Sequence, residues 1–166
     1  MYINYSKKIV YLAVPKTGST SVLSQLIEQS DQQDQIAHSK IPYQNNPKEF
    51  YNIPEYDIKT HLNLDDALKL NVLTPEQIND FKIFGVVRNP IDRFISLAAH
   101  QLHDQTDNLD VNHLVEQYLK LMTTEKYSRL QTRLGKSQVH WLVHDNKSIN
   151  CLYLYEKIED MMSILC

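Results

Sequence analysis

Two compact apolar runs punctuate the chain, and each breaks off into a polar turn that opens an amphipathic helix. Lys8–Val14 (KIVYLAV) ends at Pro15 and gives way to Lys16–Ser21 (KTGSTS), after which Val22, Leu23, Leu26 and Ile27 fall on one helical face. Phe81–Val87 (FKIFGVV) stops at Arg88-Asn89-Pro90, and Ile91, Phe94, Ile95, Ala98 and Leu102 then recur at helical spacing. Short runs of this composition read as buried strands. Strands alternating with helices predict an α/β fold, a central and mostly parallel sheet flanked by helices on both faces. Such sheets bind ligands at the carboxyl ends of their strands, where both polar turns sit.

The rest of the chain fits this frame. Thr74-Pro75-Glu76-Gln77 combines an N-cap, a proline at the first helical position and a glutamine three residues after the cap, which predicts a brief helix. Val111, Leu114, Val115, Tyr118, Leu119 and Met122 mark another amphipathic helix, and a further one is expected over roughly Ser137–His144. Tyr56–Leu62 reads as a short strand, Ile149–Tyr155 as the last strand and Lys157–Leu165 as the last helix. Residues 29–56 are polar, carry three prolines and show no period, so they are expected to be irregular. The length of 166 residues suits one domain spanning 1–166.

Composition excludes several classes. A net charge of −3 argues against a general nucleic-acid binder but leaves room for a local basic pocket. Cys151 and Cys166 make no disulfide framework, and no Cys/His cluster has zinc-ligand spacing, so no metal is expected. The run Ile9–Val14 is too short to span a membrane and has no small-residue cleavage site after it, so the chain reads as soluble and cytoplasmic. Oligomeric state is not legible.

The turn Pro15-Lys16-Thr17-Gly18-Ser19-Thr20-Ser21 carries the first chemistry. Gly18 permits a tight turn, successive backbone N–H groups can surround a phosphate at the helix N-terminus, Lys16 adds a cation and the hydroxyls add donors. An ordinary turn capped by Ser or Thr is the structural alternative. The lysine precedes the glycine, so this is not G-x-x-x-x-G-K-[ST]. The second segment is Arg88-Asn89-Pro90-Ile91-Asp92-Arg93-Phe94-Ile95-Ser96. Arg88 follows the strand directly, where its guanidinium presents a fork to a phosphate, and Ser96 can donate a hydroxyl from about two turns along the helix. Asp92 and Arg93 suit capping and surface roles, and Arg93 suits a structural salt bridge better than a substrate contact.

Taken together, VPKTGSTS and FGVVRNPIDRFIS resemble the sulfotransferase superfamily, and the branch containing the Golgi carbohydrate sulfotransferases and their bacterial relatives. The resemblance implies a P-loop-like three-layer fold and 3′-phosphoadenosine 5′-phosphosulfate (PAPS) as donor. It implies that Lys16, Thr17, Gly18, Ser19, Thr20 and Ser21 hold the 5′-phosphosulfate, and that Arg88 and Ser96 hold the 3′-phosphate. Gln138…Trp141-Leu142 and Tyr155-Glu156 are weaker echoes of the family pattern, which extends the resemblance over about residues 8 to 160. Residues 29–56 match nothing in it.

Sulfuryl transfer depends on positioning and charge stabilisation, as phosphoryl transfer does. Lys16 is the candidate for stabilising charge on the bridging oxygen, and no metal is required. An acceptor hydroxyl also needs a base. His61, in IKTHL, is the expected base, with a partly buried histidine that satisfies backbone groups as the structural alternative; the resemblance points to the base because some carbohydrate members carry a histidine in a similar segment. Thr60 stands where those members have glycine. Glu49 is the rival; His38, His100, His103, His113, His140 and His144 are expected on the surface or on helix faces. The resemblance implies a small-molecule or carbohydrate acceptor, and since donor motifs say nothing of the other half of the site, sugar, steroid-like alcohol, tyrosyl peptide and lipid all stay open. Two other classes compete: a non-catalytic protein that keeps the fold or its donor pocket, and a P-loop small-molecule kinase, which would need Mg²⁺ and prefer ATP.

Overall fold

The protein's structure, a computed structural model, describes residues 1–29, 35–36, 61–102, 110–124, 136–145 and 147–157. It begins with a hairpin that the sequence reading did not foresee. β1 (Tyr2–Asn4) lies antiparallel to β2 (Ile9–Leu12), with Tyr2 opposite Tyr11 and Asn4 opposite Ile9. The Asn4 side-chain oxygen closes the turn, accepting from the Lys7 N–H at 2.7 Å and the Ser6 hydroxyl at 2.9 Å. A strand of three residues is too short to leave a periodic signal.

After α1 (Ser19–Glu28) come β3 (Gln35–Ile36), α2 (Leu64–Lys69), α3 (Pro75–Asp80), β4 (Lys82–Val87), α4 (Pro90–Gln101), α5 (Val111–Met122) and α6 (Gln138–Leu142). A two-stranded hairpin, β5 (Val143–His144) with β6 (Lys147–Ser148), leads to β7 (Cys151–Leu154) and a 3₁₀ turn, Tyr155–Lys157. The main sheet has the order β3-β1-β2-β4-β7. β2 pairs with β4 and β4 with β7 in parallel, while β1 is antiparallel to both neighbours, so β1 alone runs against the rest. This is the expected α/β architecture with a mostly parallel sheet.

The pleat divides the core in two. Ile3, Val10, Leu12, Val14 and Ile83 point to one face, where Leu64, Ala67, Leu73, Trp141 and Leu142 cover them. Tyr2, Tyr11, Ala13, Phe84 and Val86 point to the other, against Val22, Leu23, Leu26 and Ile27 of α1. A third cluster joins α4 to α5 through Leu97, Ala98, Leu102, Leu114 and Tyr118, with the Phe94 ring edge-on to Tyr118 at 5.3 Å. Gly85 in β4 is needed for packing: a Cβ there would stand 2.4 Å from Leu142 Cδ2, so α6 lies directly on the strand.

Several expectations need adjusting. The helix expected over Ser137–His144 stops at Leu142, because Val143 is already extended and enters β5. α2 was not anticipated; Asn63 starts it by accepting from the Asp66 N–H at 2.7 Å. α3 has the forecast capping box, with Thr74 Oγ1 accepting from Gln77 N at 3.3 Å and Gln77 Oε1 from Thr74 N at 2.9 Å. Most of the strand expected over 56–62, and the last helix beyond Lys157, lie outside the described residues; His61 and Leu62 belong to no regular element.

Candidate functional site

β2 and β4 are adjacent and parallel, so the turns that follow them emerge side by side. The chain leaves β2 through Ala13 and Val14, and the Thr17 hydroxyl, fully buried, donates to the Val14 carbonyl at 3.0 Å. Lys16 and Gly18 both adopt left-handed conformations, φ 65° and 74°. A lysine held there is strained by about 1–3 kcal/mol, which is tolerated when the surrounding structure fixes the conformation. Gly18 is the N-cap of α1, and no side chain caps that helix. By contrast Asn63, Thr74, Asn89, Asp110 and Ser137 each cap the helix they precede. The ordinary Ser- or Thr-capped turn is therefore not what forms here, and α1 offers its first N–H groups, with Thr20 and Ser21 exposed, to an anion.

After β4, Asn89 caps α4 by accepting from the Ile91 N–H at 2.9 Å, with Pro90 in the first turn. The Arg88 guanidinium lies 4.5 Å above the Tyr155 ring. Its Nε is buried and has no hydrogen-bond partner among the described residues. Its backbone is held by Gln138, whose Oε1 accepts from Arg88 N at 2.8 Å and whose Nε2 donates to Arg88 O at 2.8 Å. Glu156 accepts from the Asn89 N–H at 3.3 Å. Ser96 is half-buried in α4, and among the described residues no hydrogen bond joins it to Arg88.

The two turns influence each other. Lys16 has its pKa lowered from the ordinary 10.5, chiefly by burial and further by the positive charge of Arg88. Arg93 ties them physically: Nε donates to the Pro15 carbonyl at 2.9 Å and a terminal nitrogen to the Lys136 carbonyl at 3.1 Å. Arg93 is thus structural, as expected, but it is buried rather than on the surface, and these bonds go to carbonyl oxygens.

His61 stands at the same end of the sheet. Its Nδ1 bonds the Ala13 carbonyl at 2.6 Å, so Nδ1 carries the proton and Nε2 is the basic nitrogen of the neutral ring. The ring packs edge-on against Trp141 at 6.1 Å. His140 lies on a helix face, in α6, as expected; it contacts Trp141 at 5.3 Å and its Nε2 lies 3.2 Å from Asn63 Nδ2. His144 pairs with Asp65 at 2.5 Å. His100 and His113 are exposed, while His38, His103 and Glu49 lie outside the described residues. Among the described residues no group of His, Cys, Asp or Glu is arranged to hold a metal ion, and no helix is long and apolar enough to cross a membrane.

Of the sequence candidates, Lys16, Thr17, Gly18, Ser19, Arg88 and His61 gather at the carboxyl ends of β2 and β4. Gln138 and Tyr155 were legible only as isolated echoes; their roles against Arg88 had no local signal. A model described as the sulfotransferase family matches residues 1–159. No curated protein and no solved structure gives a match.

Proposed function

Since the chain belongs to the sulfotransferase family, we propose that it moves a sulfuryl group from PAPS to an acceptor hydroxyl and releases adenosine 3′,5′-bisphosphate. The observation that carries the reading is that the parallel pairing of β2 with β4 brings the Lys16 turn and the Arg88 turn, each with its cation, to the same end of the sheet. Two like charges brought together at the mouth of an uncapped helix suit a ligand with several negative charges.

The residues fit such a ligand. Lys16, Thr17, Gly18, Ser19, Thr20 and Ser21 would hold the 5′-phosphosulfate, using the open N–H groups of α1 and the Lys16 ammonium. Arg88 would hold the 3′-phosphate, and its buried, unpartnered Nε gives it a donor to offer; Ser96 is the second candidate there. Bound in this way, the donor supplies a sulfur whose bond to the phosphate oxygen is the one to break. Lys16 neutralises the charge that collects on that oxygen. His61 Nε2 takes the acceptor's proton as the acceptor oxygen bonds to sulfur, while the Ala13 carbonyl keeps the ring in the required tautomer. The carbohydrate branch makes a sugar hydroxyl the first acceptor class to screen.

Thermal unfolding with adenosine 3′,5′-bisphosphate, using ADP as control, tests the donor site. Ligand at about a hundred times its dissociation constant stabilises by roughly 2.7 kcal/mol, so the midpoint should rise by several degrees with the bisphosphate and little with ADP. A rise with ADP alone would instead favour the kinase reading.

A further inference from the structure

Resting on the PAPS reading above, we infer that Gln138 is a positioning residue for 3′-phosphate recognition, acting through the backbone of Arg88. The parallel ladder between β4 and β7 ends at the pair Val87 and Leu154, one residue before Arg88. A residue just beyond a ladder has a backbone donor and acceptor with no strand to meet them. The Gln138 carboxamide meets both, Oε1 accepting from Arg88 N and Nε2 donating to Arg88 O, each at 2.8 Å. One side chain thus extends the sheet by one residue.

The anchor is firm. Gln138 opens α6, whose Trp141 and Leu142 are 1% and 4% exposed in the core, and Leu142 packs against Gly85 of the same strand that delivers Arg88. With the backbone fixed on that side, the guanidinium leaves over the Tyr155 face at 4.5 Å. Backbone clamp and aromatic surface together limit where the fork points. A planar donor set gains from such limits because each restricted torsion is ordering that binding need not supply. A merely structural Gln138 would support any residue at 88; a positioning Gln138 matters to the one ligand group that Arg88 meets.

The test compares adenosine 3′,5′-bisphosphate with adenosine 5′-monophosphate, which differ only in the 3′-phosphate, by calorimetric titration of the full chain. Gln138→Met keeps the length of the side chain and removes both polar ends. The preference for the bisphosphate is expected to shrink about tenfold while affinity for the monophosphate stays the same, the scale of lost hydrogen bonds to a charged group's support. In an Arg88→Met background the same substitution should change nothing further. Gln138→Asn, which withdraws both polar ends by one methylene without adding charge, should also shrink the preference and decides the matter if the methionine variant does not fold. An unchanged preference, or an equal loss for both nucleotides, overturns the inference. A wild-type chain with no preference for the bisphosphate overturns the PAPS reading along with it.

Discussion

Arg93 Nε donates a 2.9 Å hydrogen bond to the carbonyl of Pro15, joining the turn after β2 to the helix after β4 across 78 positions of sequence. A proline carbonyl at a turn start has no strand neighbour to satisfy it, and a buried guanidinium needs acceptors. The pair meets both needs and sets the spacing of the two cationic turns. Arg93→Met is expected to lower stability by about 1–3 kcal/mol by leaving the carbonyls of Pro15 and Lys136 unsatisfied. Denaturant unfolding measures it; a loss near zero would mean that the bond does not organise the site.

Lys16 gives a pH dependence of definite sign. Burial, and then Arg88, lowers its pKa from 10.5, so between the folded value and 10.5 the unfolded chain binds more protons than the folded one. From this group the ligand-free stability therefore rises with pH through that window, and below it the charged amine opposes folding. Lys16→Met should raise the ligand-free midpoint at pH 7 and remove the alkaline gain, while turnover falls by about 10²–10³-fold. A lower midpoint for the variant would contradict the charge argument.

His61→Ala should reduce kcat by about 10²–10⁴-fold, with affinity for adenosine 3′,5′-bisphosphate within a factor of about two of wild type. Steady-state kinetics beside nucleotide titration separate the two effects. Near-normal turnover removes His61 from the chemistry.

Gly85→Ala should destabilise the fold by about 1–3 kcal/mol, since its Cβ would meet Leu142 Cδ2 at 2.4 Å and Ile149 Cδ1 at 3.3 Å. Chemical denaturation reads the loss. In a double-mutant cycle with Leu142→Ala, the combined loss should be smaller than the sum of the two single losses if the clash with Leu142 is the cause.

Thr74→Ala serves as a control away from the site. Losing the capping box should lower stability by about 1 kcal/mol with no change in nucleotide binding.

Much of the fold was legible because its signals are local. The apolar runs around Ile9–Leu12 and Lys82–Val87, the Thr74 capping box, the periodic faces of α1, α4 and α5, and the glycine that takes φ 74° are written in neighbouring residues. Short elements escaped: β1 has three residues and α2 six, too few to show a period. The left-handed φ of 65° at Lys16 escaped too, because no side chain announces it.

By itself the sequence determined the longer strands and helices, and placed a basic turn after each of two buried strands, the first of them rich in hydroxyls. Only the tertiary structure decided how those turns meet. Parallel pairing of β2 with β4 sets Lys16 beside Arg88, and Arg93 reaches Pro15. His61 anchors to Ala13 48 positions away, and Gln138 closes on Arg88 across 50. The physical reason is range: helix and strand preferences act over a few residues, whereas these bonds exist only once sheet order and core packing bring distant backbone groups within hydrogen-bond reach.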